Sequence, residues 1–534
     1  MERANLESSP IQPGIPIVLP LTTIPVRMPM RLSPKLKESS LWFPCGLLVL
    51  WLFSLALRFW GLGRFNTLVF DEVYYVKFAH NYLTQTPFFD GHPPLSKYLI
   101  AIGIWFGNQL PIGREAVNTM AGAAYSTWSY RWLNALTGSL IPLVVSAIAW
   151  QLTRSHRYAL LAGLLSALDG LFLVESRYAL NNIYLIIFGL LGLWLLLLAV
   201  GSAKPWLREF WLVLAGICFG ASVAIKWNGL WFLLGAIGLW ITVWLIKGLQ
   251  ALRPRVAALF PLQGSGDNQN PLAQLARLSW WQIGLNLLVV PAIFYRLSWI
   301  PHLQMNPGSD FWQLQNEILS YHERVGSGPK VHPYCSSWYT WLTMIRPVAY
   351  FYQVTDRGAP LPSGQATATG ADTVIYDVHA IGNPILWWFS TLAILLVLVA
   401  LIQGVLTWAT SEPATDLPGT LPPTMAELEF SLTPGERWLG LFLLVNYAAN
   451  LLPWVRVTRC VFLYHYMGAS VFSLLALAWL LDRWLSSTEL NLRVIAINIL
   501  LMTIFGFIFW LPIYLGLPLS PLEFKLRIWL PSWL

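Results

Sequence analysis

The sequence predicts an all-α polytopic membrane protein, and three observations support that prediction. Of the 534 residues, 56% are hydrophobic and 11% are charged, whereas soluble domains carry roughly 25% charged residues. The mean hydropathy is +0.57. In addition, about eleven apolar segments are long enough to cross a bilayer as helices. The net charge of +8 therefore fits basic loops that face anionic lipid, and it does not indicate a nucleic-acid partner.

The chain begins with a Pro-rich basic segment, residues 1–40, which we expect to be a flexible cytoplasmic tail. It is too long and too polar for the start of a cleaved signal peptide, so the first span is interpreted as an uncleaved anchor. The predicted spans are 41–62, 132–152, 158–174, 180–200, 210–225, 230–246, 281–299, 385–407, 438–453, 460–480 and 494–515.

The basic tail fixes the expected orientation, because lysine and arginine accumulate on the cytoplasmic side. The loop at 63–130 then lies outside the cell. Its apolar piece YLIAIGIWFG is too short to span and predicts an interfacial helix. Short connections placed inside carry Arg154, Arg157, Lys204, Arg208, Lys247, Arg253, Arg255, Arg277, Arg483 and Arg493.

The spans divide the chain into larger regions. We expect a catalytic transmembrane module over 41–300 and an external loop over 301–382. A second transmembrane module follows over 383–515, and an external amphipathic tail over 516–534. No internal repeat is visible, which argues against a transporter built from inverted halves.

The cysteines and the acidic residues do not form a recognisable ligand pattern. Cys45, Cys218, Cys335 and Cys460 are scattered, which predicts neither a disulfide framework nor a metal site. Although Asp and His lie close together in the first loop, their spacing matches no zinc or calcium pattern. We therefore predict no bound metal.

The first external loop carries the densest polar cluster of the chain. Asp71 and Glu72 directly follow the first span, and Asp90 and His92 follow within FFDGHPPLSK. A carboxylate that is partly desolvated beside an apolar wall is suited to act as a general base. The alternative interpretation is an ordinary solvated loop, with acids on an interfacial helix and a histidine that only shapes a turn.

The predicted topology places several polar junctions on the same outer face as this loop. They are Glu175-Ser176-Arg177, Lys226-Trp227-Asn228, His332-Pro333 and the segment from Arg456 to His465. Ionisable residues at membrane depth are costly and indicate function. Acids together with bases suit a substrate that has both a phosphate and a hydroxyl. Alternatively, basic residues at span ends extend to the interface as ordinary anchors.

Six motifs in order, over about residues 64 to 475, resemble the protein O-mannosyltransferase family of GT-C glycosyltransferases. They are FDEVYYVKFAHNY with FFDGHPPLSKYLIAIG, SYRWLNALTGSLIPL, LDGLFLVESRYALNN, SVAIKWNGLWFLLG, HPYCSSWYTWLTMIRPVAYFY with GNPILWW, and RCVFLYHYMGASVFSLL. The chain departs from the family pattern at Ser96, where the family has Gly, and at Asn182, where it has Asp. The loop before the eighth span is too short for the MIR domain of eukaryotic members, which indicates the bacterial type.

The resemblance implies transfer of mannose from a polyprenyl-phosphate-mannose donor to Ser or Thr of a polypeptide that emerges from the export machinery. It also implies a multi-pass plasma-membrane enzyme whose site is on the extracytoplasmic face. Displacement would be inverting, so one base is enough, in contrast to a retaining glycosidase. The donor's leaving group is already a phosphate ester, so neither a nucleotide nor an obligate metal is expected.

The resemblance also suggests roles for individual residues. Asp71 would be the base, and Glu72 would orient the acceptor or support Asp71. The donor phosphate would be held by Arg131, Lys226 and Arg459. Residues expected to bind substrate or shape the site are Asp90, His92, Arg177, Trp227, Asn228, His332, Tyr464 and His465.

Two other functions stay open at this point. A GT-C transferase that glycosylates a lipid or polysaccharide would have a similar acidic loop and basic span ends. A transporter of lipid-linked sugar would need charges buried within spans, of which Asp169 is the clearest candidate.

Overall fold

Long apolar helices form most of the chain, as expected where lipid offers no partner for exposed backbone groups. The computed structural model describes residues 41–114, 117–120, 123–262, 270, 272–356, 373–410 and 432–534. The α-helices are α1 (Trp42–Phe59), α2 (Glu72–Thr84), α3 (Leu95–Gly107), α4 (Thr127–Thr153), α5 (His156–Ala167), α6 (Gly170–Arg177), α7 (Asn182–Val200), α8 (Pro205–Val223), α9 (Leu230–Leu252), α10 (Val256–Leu259), α11 (Trp280–Ile283), α12 (Val290–Ser298), α13 (Ile300–Met305), α14 (Phe311–Arg324), α15 (Trp338–Trp341), α16 (Pro384–Thr410), α17 (Pro434–Leu451), α18 (Met467–Leu485), α19 (Leu490–Leu515) and α20 (Pro521–Arg527).

Shorter elements connect these helices. The 3-10 turns are Trp227–Gly229, Ala273–Arg277, Leu452–Arg456, Leu463–Tyr466 and Pro531–Trp533, and Gly284–Val289 is a π-helix. The described chain from Phe43 to Leu534 forms one compact unit. The predicted tail at 1–40 lies outside the described residues.

Ten helices in the described ranges are long and apolar enough to cross a membrane, or eleven if a bent pair counts as one span. The bent pair is α5 and α6, which meet at an angle of 59°. Asp169 begins α6 as its N-cap, and its carboxylate accepts the N–H of Phe172 at 2.9 Å. The expected fold class, with about eleven spans, is confirmed.

The transmembrane helices differ sharply in burial. The apolar stretch within Leu463–Leu485 is completely buried, and 78% of the residues in the apolar stretch of α7 are buried. In α1 only 17% of these residues are buried. α18 packs against α5, α16 and α17. Small residues allow this close approach. A Cβ added at Gly468, for example, would lie 2.7 Å from the side-chain oxygen of Asn450.

The crossings bring distant junctions to one face. If the bent pair counts as one of eleven spans, all odd-numbered spans end on the same face of the membrane, and the even-numbered spans begin there. The junctions on this shared face are 60–126, 178–181, 224–226, 306–383 and 457–462. Any site on this face is therefore assembled from most of the chain.

The loops on the shared face are more ordered than the sequence suggested. The interfacial helix expected from YLIAIGIWFG is α3. Two antiparallel hairpins were not predicted, namely β1 (Val117–Met120) with β2 (Ala123–Ser126) and β3 (Val348–Asp356) with β4 (Thr373–Ala380). The second hairpin has a register irregularity between Ala349 and Phe351.

The interpretation that the cysteines form no disulfide was wrong. Cys335 and Cys460 are bonded across a sequence separation of 125 residues. Spacing could not indicate this pair, because 125 residues, among them α16 and α17, separate the two cysteines in the chain. The bond ties the loop before α15 to the loop before α18.

Candidate active site

Asp71 lies at the point where the first loop turns into α2. The preceding residue, Phe70, has a positive φ of 47°, a conformation that costs energy for a side chain of this size. Asp71 is the N-cap residue of α2, yet among the described residues no N–H of that helix is capped by its side chain. Tyr75, one turn further on, donates a hydrogen bond to the carboxylate instead. The carboxylate is therefore bonded to a side chain of α2 and not to a backbone N–H of that helix.

The surroundings of Asp71 tune its proton affinity. Burial raises the pKa of Asp71 to about 6, and the negative charge of Asp90 acts in the same direction. The positive charge of Lys226 and the hydrogen bond from Tyr75 lower the pKa. The net result is a carboxylate that exchanges its proton close to neutral pH.

Lys226 faces Asp71 from the junction between α8 and α9. Its ammonium donates to Asn182 Oδ1 at 3.1 Å and lies 5.2 Å from the centre of the Tyr464 ring. Burial lowers the pKa of Lys226 to about 8, against the opposing effect of the carboxylates of Asp71 and Glu175. A buried cation with unused N–H groups is suited to bind an anion.

Glu175 lies behind Lys226, fully buried in the last turn of α6. One carboxylate oxygen accepts the Tyr350 hydroxyl from β3, and the other accepts Asn182 Nδ2 at 3.0 Å. The sequence pointed to the junction Glu175-Ser176-Arg177, but it did not point to Tyr350. Asn182, where this chain departs from the family pattern, thus links Glu175 to Lys226 through two hydrogen bonds.

The loop that contains Asp90 and His92 is held by a lysine that the sequence reasoning missed. Lys97 is fully buried, forms an ion pair of 2.6 Å with Asp90 and donates to the carbonyl of His92 at 3.0 Å. These contacts place the His92 ring beside the site, where burial and the neighbouring cations lower its pKa well below the usual range. Asp90 also acts on Asp71 electrostatically.

Helix α14 supplies another residue that was not predicted, His322. Its ring lies 5.3 Å from the His92 ring and 6.1 Å from the Trp227 ring. Burial lowers the pKa of His322 to about 4, and the cations Arg459 and Lys226 act in the same direction. The sequence signal was available, because Leu314 and Ile318, four residues apart, form the buried face of α14.

The segment before α18 forms another wall. Arg459 donates to the carbonyl of Cys460 at 3.0 Å, and its charge acts on His92, Lys226 and His322. Burial lowers the pKa of Arg459. Because Cys460 carries the disulfide, the backbone next to this arginine is anchored to the loop before α15.

Aromatic groups complete this wall. Tyr464 lies under the ammonium of Lys226, as described above, and the His465 ring packs on Trp341 and Trp454 with centroids 6.1 and 4.6 Å apart. His332 packs edge-on to Phe70 at 6.0 Å. These contacts shape the site from behind.

Glu72 and Arg131 belong to a different arrangement. Glu72 is fully buried and bonds Arg131 through both carboxylate oxygens, at 2.9 and 2.8 Å, while it accepts the N–H groups of Val69 and Ala179. The other N–H groups of Arg131 donate to the carbonyls of Leu62, Phe65 and Thr67. The structure therefore places both side chains in a saturated network beneath the loop.

Other predicted residues are bonded to other parts of the chain. Arg177 donates to carbonyls at the end of α1, at Leu57, Arg58, Trp60 and Gly61. Trp227 donates through Nε1 to the Tyr295 hydroxyl at 3.0 Å, and Asn228 is half-buried in the same 3-10 turn. Arg177 thus fixes the end of the first span.

The described residues include no group of three or more His, Cys, Asp or Glu side chains that could hold a metal ion. The prediction of a metal-independent reaction stays a prediction. What the arrangement offers is a carboxylate with a raised pKa, on which the positive charge of Lys226 acts.

Two protein-family models match the sequence of this chain. Residues 48–305 match the family described as dolichyl-phosphate-mannose-protein mannosyltransferase. Residues 308–533 match the C-terminal four-transmembrane region of protein O-mannosyltransferase. The two models together extend over almost all of the described chain.

Individual relatives agree with this assignment. A polyprenol-phosphate-mannose–protein mannosyltransferase of Mycobacterium tuberculosis is 24% identical over 98% of this chain and 97% of its own length. A protein of the same name from Corynebacterium glutamicum is 24% identical over 90% of this chain and 92% of its own length.

A solved structure has the same fold. The Saccharomyces cerevisiae protein O-mannosyltransferase Pmt1-Pmt2 complex bound to the sugar donor matches with a TM-score of 0.68 at 15% identity, over 92% of both chains. The chain is therefore a member of the protein O-mannosyltransferase family, a multi-pass glycosyltransferase with the GT-C fold.

Proposed function

We propose that the protein transfers mannose from a polyprenyl-phosphate-mannose donor to Ser and Thr hydroxyls of polypeptides, with Asp71 as the general base. The observation that carries this proposal is the Asp71 carboxylate, which faces Lys226, has a pKa of about 6 and is not used to cap its own helix. The names of the relatives supply the donor and the acceptor class.

Lys226 and Arg459 are the residues we assign to the donor phosphate. Both are cations next to the aromatic wall, and Lys226 has N–H groups beyond the one given to Asn182. Arg131 is left out of this role, because Glu72 and backbone carbonyls already accept all five of its N–H groups. Glu72, Arg131 and Arg177 are assigned to support of the loop and of the first span.

The reaction follows from these positions. The acceptor hydroxyl attacks the anomeric carbon while its proton passes to Asp71. The bond between that carbon and the phosphate oxygen breaks, and the polyprenyl phosphate leaves with the electron pair. Lys226 and Arg459 stabilise the charge that develops on the phosphate. One displacement inverts the configuration at the anomeric carbon.

The remaining residues of the site shape it. His92 and His322 lie beside the cations with lowered pKa values, so they stay neutral at physiological pH and add no positive charge. Asp90 holds the first loop through Lys97. Tyr464 and His465 form the aromatic wall next to Lys226. Trp227 packs near His322, His332 packs edge-on to Phe70, and Asn228 lies in the same 3-10 turn as Trp227.

We assign the site to the extracytoplasmic face of the plasma membrane, where a polypeptide emerging from the export machinery would meet it. The Cys335–Cys460 disulfide supports this assignment, because such bonds persist in oxidising surroundings and are rare in the cytosol. The predicted basic tail at 1–40 would then be cytoplasmic.

The test is transfer of radiolabelled mannose from polyprenyl-phosphate mannose to a Ser/Thr-rich peptide by the purified full-length protein. Asp71→Asn is expected to reduce turnover by about 10²- to 10⁴-fold at saturating donor, because the base is lost. Glu489→Gln, which removes an exposed carboxylate before α19, is the matched control and should keep wild-type turnover.

Two results would contradict the proposal. No peptide label from the wild type, with label appearing on lipid or polysaccharide acceptors instead, would replace the acceptor class. Label from both wild type and Asp71→Asn at similar rates would keep the enzyme and remove Asp71 as the base.

A further inference from the structure

Asn182 occupies a position between an acid and a base that few side chains could fill. It is 8% exposed at the start of α7. Its Nδ2 donates to Glu175 Oε2 at 3.0 Å, and its Oδ1 accepts from Lys226 Nζ at 3.1 Å. Turning the amide over would direct its N–H groups at the ammonium and its oxygen at the carboxylate, so the two partners fix its orientation.

A carboxylate at this position would behave differently. Ionised, it would accept from Lys226 but could not donate to Glu175. Two carboxylates about 3 Å apart in a buried site do not both ionise readily, so the pair would share a proton that leaves as the pH rises. The amide of Asn182 supplies the same hydrogen bond with a hydrogen that does not titrate.

The surrounding charges make this difference matter. Glu175 is fully buried, with Tyr350 on its other oxygen. The other charged or titratable groups that face Lys226 are Asp71, Asp90, Arg459, Tyr464 and the histidines at 92, 322 and 465. An added negative charge at position 182 would pair directly with Lys226 and would oppose an anionic ligand.

We propose that Asn182 is a positioning residue that holds Lys226 in place without neutralising its charge or introducing a proton that titrates. The ligand concerned is the phosphate of the lipid-linked donor. This inference rests on the proposed function, because it takes Lys226 as a phosphate-binding group. Asn182 thereby makes donor binding independent of the protonation state of Glu175.

The test compares the donor KM of the purified full-length wild type and Asn182→Asp from about pH 5.5 to about pH 7.5, a range in which Lys226, with a pKa of about 8, keeps its proton and a shared proton of two buried carboxylates would be lost. At the acid end the pair keeps its proton, so the two KM values should be close. At the alkaline end the variant's donor KM should be about tenfold above wild type or more, because Lys226 is then paired with a new charge. The peptide KM should not show this trend.

Two further variants keep the inference falsifiable. Glu175→Gln combined with Asn182→Asp removes the second carboxylate, so its donor KM should be raised by a factor that does not change with pH. Asn181→Asp adds the same charge one residue away and should not show the pH-dependent rise. Melting temperatures in detergent identify any variant that fails to fold.

The inference is overturned if the ratio of the two donor KM values is the same at every pH, or if the double variant keeps the pH trend. Lys226→Met separates this from the proposed function. If removing the ammonium leaves the donor KM unchanged, the phosphate role of Lys226 is wrong, whatever Asn182→Asp does.

Discussion

Asp71 and Glu72 are adjacent in the chain and have the same charge, but they belong to two regions that differ in how completely their polar groups are hydrogen-bonded. Every oxygen of Glu72 and every N–H of Arg131 has a partner, and both side chains are almost completely buried. Asp71 and Lys226 act on each other electrostatically, and Lys226 has two N–H groups besides the one that donates to Asn182. A saturated ion pair indicates a support, whereas a buried cation with N–H groups to spare is suited to bind a ligand.

The largest expected effect on this comparison comes from breaking the saturated pair. Glu72→Gln leaves Arg131 buried with an uncompensated charge, which we expect to cost about 3–5 kcal/mol of stability. Asp71→Asn, the same change one residue earlier, should leave the melting temperature close to wild type. Thermal melting of both variants in detergent measures the difference. Unchanged melting of Glu72→Gln together with slow turnover would move Glu72 into the reactive region.

A smaller effect is expected from the unsaturated region. Lys226→Met removes a charge-assisted hydrogen bond to the donor phosphate, worth roughly 1.5–3 kcal/mol, so the donor KM should rise about 10- to 100-fold. The peptide KM should change little. Initial rates at varied donor and peptide concentrations separate the two constants, and a rise confined to the peptide KM would reverse the assignment.

The smallest expected effect is the dependence of kcat/KM on pH. Asp71 must be deprotonated to act as the base, so kcat/KM for the wild type should rise about tenfold per pH unit below a pH of about 6 and then level off. It should fall again above about pH 8, as Lys226 loses its proton. Initial rates across this range give the profile. An acid limb that persists in Asp71→Asn would assign it to another group.

The residues that could be identified from the sequence are those whose position alone is informative. Asp71 and His92 lie in the first junction, and Lys226, Arg459 and Tyr464 lie at or next to span ends. Alternation of the spans predicts that these residues share one face, and their roles stay predictions, whereas the helical fold predicted from the apolar segments is confirmed.

What could not be predicted depends on partners far away in the chain. Tyr350 reaches Glu175 across 175 residues, and Cys335 reaches Cys460 across 125. Nor does a sequence tell a bonded arginine from an available one, so Arg131 and Arg459 received the same role although their surroundings differ completely. Hydrogen-bond saturation is a property of three-dimensional packing.

The shared face also has a consequence for biosynthesis. The site takes Asp71 from the first junction and Tyr464 from the start of the tenth span, with eight spans between these two contributions when the bent pair counts as one. Because a chain is made and inserted from its N-terminus, the wall beneath Lys226 is added only after most spans are in the membrane. A partly synthesised chain therefore carries Asp71 before it carries Arg459 and Tyr464, so the site is complete only when most spans are in place.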